Sequence, residues 1–273
     1  CQSGSASDLS RQRRHAILPE TMTIKRYDVA STLWLRLLIT LLLLSGLSAP
    51  SFGAEDSYVP QIEYLRVAPD NKLTVSEALA SDSWQTLEEK SPNFGYIRDT
   101  VWLRFPVSQP ATINLLEVRY SQLDKVTFHL IENGRIARRV ETGDHVPFEQ
   151  RPILHRHFLF PFEQSIASEY QILLEVRTEG AMQIPVRLWN AQAFFEHSST
   201  EDQMHALYYG ILITVIFFNL FIFAALREPV YLLYVLSTLG YLLLIGSLNG
   251  STYQFLWPDS PALQNQIMLL AVP

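Results

Sequence analysis

Trp102 and Arg104 stand two residues apart in a stretch, 101–107, whose intervening positions Val101, Leu103 and Phe105 are apolar. In a strand that spacing sends the indole and the guanidinium to one face and the aliphatic side chains to the other. A ring and a guanidinium on one sheet face can stack on and hydrogen-bond a sugar, or clamp a carboxylate through two parallel N–H bonds. The competing arrangement is an indole packed under a loop beside an arginine paired with a nearby acid. Further on, Asp144 follows Gly143, and Arg151 lies beyond His145, Pro147 and Phe148, so one loop offers a carboxylate and a cation at a sheet edge. Alternatively Gly143 and Asp144 form a turn that Arg151 ties down. His155 and His157 share a strand face and with His129 or His145 have the spacing of a zinc pair, but no cysteine or close acid supports a metal there. Histidines of this kind titrate near neutral pH in unperturbed surroundings, which is the basis of pH sensing.

Trp102, Arg104, Asp144 and Arg151 are therefore the candidate ligand-binding residues, with no metal and no cofactor expected. No catalytic residue is expected either. The chain has no glycine-rich phosphate loop, no nucleophile elbow and no histidine–acid pair at zincin spacing. The single cysteine, Cys1, excludes an internal disulfide and a thiolate metal cage. Between positions 55 and 202 there are 14 Lys and Arg against 22 Asp and Glu, an acidic excess of 8, and the basic residues are dispersed. Nucleic acid is excluded as a partner on that ground, because phosphate affinity comes chiefly from clustered Lys and Arg.

These residues need a β-rich frame. Tyr170, Ile172, Leu174 and Val176 alternate with Gln171, Leu173, Glu175 and Arg177, and Val126, Phe128 and Leu130 alternate with Thr127, His129 and Ile131 before the turn residues Glu132, Asn133 and Gly134. Further strands are predicted at 101–107, 113–120, 153–160 and 182–188, with brief helices at 74–79 and 84–89. Many short strands between turn signals predict an all-β sandwich over 55–195, jelly-roll-like in winding.

Two apolar segments, 206–226 and 230–248, follow a polar linker at 196–205 and are joined by Arg227, Glu228 and Pro229. Each has about twenty residues, the length of a helix crossing a hydrocarbon layer of roughly 30 Å. Neither carries a polar stripe, which a helix with one face in water requires. Tyr208, Tyr209, Tyr231 and Tyr234 sit at headgroup depth, Pro229 suits a first helical turn, and Asn219 is read as an interhelical hydrogen bond. Gly246 and Gly250 make a small-residue pair suited to close helix packing, and a third apolar run begins near 263. At the other end, Lys25, Arg26 and Arg36 precede the apolar run 37–44, and small residues at Ser51, Gly53 and Ala54 offer cleavage sites, so 22–54 reads as an export signal and 1–21 as an upstream extension. With the sandwich exported, Arg227 falls on the cytoplasmic turn, as the positive-inside rule prefers.

In order and spacing the chain resembles the bacterial seven-transmembrane receptors with diverse intracellular signalling modules (7TMR-DISM). Those receptors join a periplasmic β-sandwich of the second extracellular type to a seven-helix membrane region. The resemblance rests on Leu73, Thr74, Glu77 and Ala78, on 101–104, on Gly143, Asp144, Pro147, Phe148 and Arg151, and on 158–161. In the membrane it rests on Tyr209, Gly210, Asn219, Leu220, Arg227, Tyr231, Leu232 and Tyr234, then Gly250, Leu256, Trp257 and Pro258. It implies a multi-pass protein of the bacterial inner membrane whose periplasmic domain is similar to carbohydrate-binding modules. The implied partners are a small carbohydrate-like ligand, the lipid bilayer and a second copy of the chain as homodimer. The implied output is a diguanylate cyclase or histidine kinase domain beyond this sequence. The rival readings are an anchored carbohydrate-binding or adhesion module without signalling, and a membrane enzyme or transporter with an accessory binding domain. The first needs only one helix; the second needs polar groups at membrane depth, where Asn219 is nearly alone.

Overall fold

The computed structural model describes residues 56–270 apart from Lys90, 108–111 and 164–168, so the export signal expected at 22–54 and the extension at 1–21 lie outside the described residues. Ten strands form two facing antiparallel sheets. The smaller has the order β1 (Ser57–Tyr58), β12 (Val186–Trp189), β6 (Leu115–Val118), β9 (Phe158–Pro161). The larger runs β3 (Gln85–Thr86), β2 (Glu63–Val67), β5 (Thr100–Pro106), β10 (Tyr170–Arg177), β7 (Lys125–Glu132), β8 (Arg135–Thr142). A separate ribbon pairs β11 (Ala181–Gln183) with β4 (Asn93–Tyr96). The chain crosses between the sheets after β1, β5, β6, β8 and β9, and again after β10 by way of β11, which is the jelly-roll-like winding expected.

The period of two sets the core. Val101, Leu103 and Phe105 of β5, Ile172, Leu174 and Val176 of β10, and Val126, Phe128 and Leu130 of β7 all face Leu116, Val118, Phe158, Phe160 and Leu188 of the smaller sheet. Phe128 stacks on Phe160 across the sandwich with ring centroids 5.0 Å apart. Asn133 and Gly134 both take positive φ, 48° and 77°, as the two-residue turn of the β7–β8 hairpin requires.

Three expectations are corrected by tertiary contacts. The predicted helix at 84–89 is the edge strand β3, whose Gln85 and Thr86 pair with Tyr64 and Glu63. The predicted strand at 153–160 begins only at Phe158, because the carbonyls of His155 and Arg156 accept from the Arg151 guanidinium and so are taken from a ladder. The predicted strand at 182–188 is split into β11 and β12 around Pro185, which has no N–H to donate. The helix expected at 74–79 is α1 (Val75–Ala80), closed by a capping box between Thr74 and Glu77.

The stretch at 196–205, read from the sequence as a polar linker or short helix, is helical. A single helix, α2 (Ala191–Leu226), is capped by the Asn190 side chain accepting from the N–H groups of Gln192 and Ala193, and runs 36 residues from the sandwich through the first apolar segment. Arg227 closes it in the left-handed conformation, and Pro229 opens α3 (Pro229–Leu248). The short α4 (Ser251–Phe255) and then α5 (Pro261–Leu270) follow. Phe217, Phe221, Leu233 and Leu236 are exposed on α2 and α3, the surface of helices that face lipid rather than a protein core. Asn219 donates to the carbonyl of Val215 in its own helix, not to the neighbouring one as the sequence reading had it.

Candidate functional site

The outer face of the larger sheet holds Trp102 and Arg104 side by side as the spacing requires, and neither projects freely. Trp102 is 2% exposed and packs with Leu65, Val67, Ile131 and Leu173 beneath Ala78 of α1. Arg104 forms an ion pair with Glu63 across the β2–β5 ladder at 2.7 Å and lies over the Trp84 ring at 4.3 Å. Trp102 is thus packed under α1 and Arg104 is paired with a neighbouring acid. Several polar atoms on this face nonetheless have no partner among the described residues: the Trp102 indole N–H, the Thr127 hydroxyl and both ring nitrogens of His129. Burial pushes His129 down to about 4, so it stays neutral. Where α1 ends its cover, a cleft of about 250 Å³ opens between the 71–73 loop and the sheet, lined by Lys72, Thr100, Trp102, Lys125, Glu175 and Arg177 among others. Burial raises the Glu175 carboxyl above its ordinary value.

Asp144 and Arg151 are buried, 6% and 5% exposed, and lie where the sandwich meets the membrane hairpin. Gly143 is obligatory there, since a Cβ would fall on the carbonyl oxygen of Asp124. Arg151 donates from Nη1 to the carbonyls of His155 (2.9 Å) and Arg156 (3.1 Å) and is enclosed by the rings of Phe158, Phe148 and Tyr253 at 4.5, 4.6 and 5.5 Å. Burial lowers its pKa to about 10, which leaves it a cation. Tyr253 comes from α4: it meets Phe148 edge to face at 5.6 Å and donates its hydroxyl to the Val146 carbonyl at 2.6 Å. Phe148 N–H donates to the Pro258 carbonyl, and Ser121 Oγ to the Leu248 carbonyl. The 143–151 loop is thus a seat for the segment that follows α3. Burial, then the neighbouring Asp124, pushes Asp144 up to about 6. Asp124, Asp144 and His145 offer ligand atoms within 4.8 Å of one another.

A second contact fastens the start of α2. Arg156, 6% exposed at its side chain, pairs with Glu201 at 3.0 Å and with Asp202, and Arg119 reaches Glu201 at 2.6 Å. His155 accepts from the His157 N–H at Nδ1, so its proton sits on Nε2, which donates to Ser198 Oγ at 2.9 Å. His157 donates from Nδ1 to Glu117 at 2.7 Å, and Trp189 donates to the other Glu117 oxygen at 2.8 Å. Burial raises the Glu117 carboxyl, but His157 and Trp189 outweigh it and hold the group below its ordinary value. Both ring nitrogens of His155 and Nδ1 of His157 are engaged in this network. Between seat and clamp lies a polar cavity of about 150 Å³ lined by residues that include Arg119, Ser121, Arg156, His157 and Asn249.

Sequence reasoning missed Tyr253, whose seat depends on a helix returning from the hairpin, and Arg156, Glu201 and Asp202, which meet where the start of α2 lies against the sandwich. It also missed Lys72, Lys125, Glu175 and Arg177. A signal for Lys125 and Arg177 was present only in register: the two stand directly opposite each other.

A sandwich continued by one helix into an apolar hairpin long enough to cross a membrane, and contacted by the segment leaving that hairpin, is the build of a membrane protein with a folded domain beside the bilayer. The family model described as 7TMR-DISM extracellular 2 matches residues 59–190, and the one described as 7TM diverse intracellular signalling matches residues 201–273. The chain belongs to the 7TMR-DISM family, membrane sensory receptors with an extracellular and a 7TM domain. A search of curated proteins finds no match.

Proposed function

We propose that this chain is the input half of a bacterial inner-membrane signalling receptor. Its sandwich lies in the periplasm and takes a small polar ligand of the carbohydrate type. A change in how the sandwich sits on the helices then biases a cytoplasmic output module of the diguanylate cyclase or histidine kinase kind. The observation that supports this reading is the double attachment of the sandwich. It is continuous with α2, and it also encloses Tyr253 of α4 in the Phe148, Phe158 and Arg151 seat. A tether would need only the first. A second contact beyond the hairpin gives two helices a fixed relation to the sandwich, so a ligand that prefers one arrangement shifts both.

The test uses the chain reconstituted in lipid nanodiscs. Small sugars, amino acids and organic acids are screened for a rise in the melting temperature of the protein. For each compound that binds, hydrogen exchange is followed over the sandwich and over 251–256. A receptor gives altered exchange at 251–256 with a compound bound to the sandwich. Altered exchange confined to the sandwich leaves an anchored binding module instead.

A further inference from the structure

The 71–73 loop and the β5, β10 and β7 strands enclose a cleft that packing alone does not explain. Lys125 and Arg177 are cross-strand partners, directly opposite on one face. Like charges in that position repel, and a sheet normally avoids them. Lys125 is relieved on its far side by Glu141 at 2.9 Å. Arg177 forms no ion pair with any described residue, nor does Lys72, which approaches the same cleft from the loop. A third donor lies in the wall: the Trp102 indole N–H, in a residue 2% exposed, has no hydrogen-bond partner. A buried N–H left unpaired costs about 1–3 kcal/mol unless something occupies it. Three cations, two of them in no ion pair among the described residues, and the residue that carries the orphaned donor line a space of about 250 Å³ whose one lining carboxylate is Glu175.

We infer that this cleft binds a small organic acid with a hydroxylated or similarly polar body. Lys72 and Arg177 hold its carboxylate, the Trp102 N–H donates to its body, and Thr100 and Glu175 hydrogen-bond its hydroxyls. The inference rests on the receptor reading for its purpose but not for its geometry. The position of Arg104, occupied by Glu63, excludes it from this role, so the cation that recognises the ligand is Arg177.

The experiment is calorimetric titration of the whole chain in nanodiscs with glucuronate, with succinate and with glucose. Glucuronate binding, weakened by salt and about tenfold weaker in Arg177→Gln, is the expected result, since a charge-assisted bond at a cleft is worth at least one decade. Arg135→Gln removes the same charge from the far hairpin and leaves the affinity unchanged. Trp102→Phe keeps the ring, loses the N–H and weakens binding, with circular dichroism confirming that each variant is folded. Succinate binding as tightly as glucuronate supports the carboxylate site and assigns a simple dicarboxylic acid as its source. Glucose binding as well as glucuronate, or neither acid giving heat at millimolar concentration, overturns the inference. So does an Arg177→Gln affinity equal to the parent's. The comparison of Arg177→Gln with the parent reads the cleft, so its failure leaves the receptor reading to be judged by exchange at 251–256, and the converse holds.

Discussion

His155 carries two jobs on one ring. Its Nδ1 accepts from the chain beside it while Nε2 donates to Ser198 of α2, an arrangement only the neutral ring can make. Burial first, then the charges of His157 and Arg156, lowers its pKa to about 4. A histidine with a lowered folded pKa contributes stability that is fully present above the unfolded value of 6.5 and is lost as pH falls through about 4. The full effect is on the order of 3 kcal/mol at about 1.4 kcal/mol per unit. Burial gives His129 the same direction. Asp144 opposes them: raised to about 6, its contribution is fully present below the ordinary 3.8 and lost as pH rises through 6. Two histidines outweigh one carboxyl, so the melting temperature is expected to fall as pH drops from 6.5 to 4. His155→Gln, whose amide can both accept and donate, flattens that fall; an unchanged slope would remove His155 from the cause. At this scale the sequence was partly legible. The shared face of Trp102 and Arg104 followed from the period of two, whereas their burial came from α1 and Glu63, which lie 20 or more positions upstream and leave no mark on the local pattern.

Among the elements, the segment from Gly250 through α4 is the least predictable from its own residues and the most constrained by its setting. Gly250 has φ +77°, and a Cβ there would stand 2.8 Å from Ser121 Cβ and 3.2 Å from the Arg156 carbonyl oxygen. Gly250→Ala therefore combines backbone strain with a collision against the sandwich. It is expected to push α4 off its seat at a cost of about 1–3 kcal/mol, read as faster hydrogen exchange at 251–256 and new accessibility of Tyr253, while β5, β7 and β10 remain protected. Unchanged exchange at 251–256 would mean that the seat does not depend on this approach. On the hairpin side α4 is braced by Gln264, which accepts from Thr252 Oγ1 and Trp257 Nε1 and donates to the Ser247 carbonyl. The sequence pointed to Gly250 and Gly246 as a helix-packing pair. Gly246 does face a close neighbour, Thr252, but Gly250 meets the sandwich instead. A sequence window reports periodicity; it cannot report which of two surfaces a turn is pressed against.

At the scale of the whole molecule, the two attachments lie on either side of the hairpin. The clamp joins Arg119 and Arg156 to Glu201 and Asp202 on α2, and the seat joins the 143–151 loop to α4. Residue 156 belongs to both: its side chain pairs with α2, while its carbonyl accepts from the Arg151 that underlies Tyr253. If the sandwich leaves the helices in one movement, loosening either contact exposes both. If the contacts open separately, each responds only to its own substitution. The shared residue predicts the first. Arg156→Gln removes a nearly buried cation from two carboxylates, of which Glu201 keeps Arg119 and Asp202 is half exposed, so the loss is smaller than for a sealed ion pair. It is expected to speed exchange at 251–256 as well as at 197–202. Tyr253→Leu, which keeps an apolar plug but loses the hydroxyl bond to Val146, is expected to speed exchange at 197–202 as well as at 251–256. Exchange altered only around the substituted contact in both variants would sink the single-movement account and leave α2 as the one route by which the sandwich could act on the membrane. Reciprocal exposure would make the sandwich–hairpin contact a two-state element, which is what a ligand must bias to be felt across the membrane.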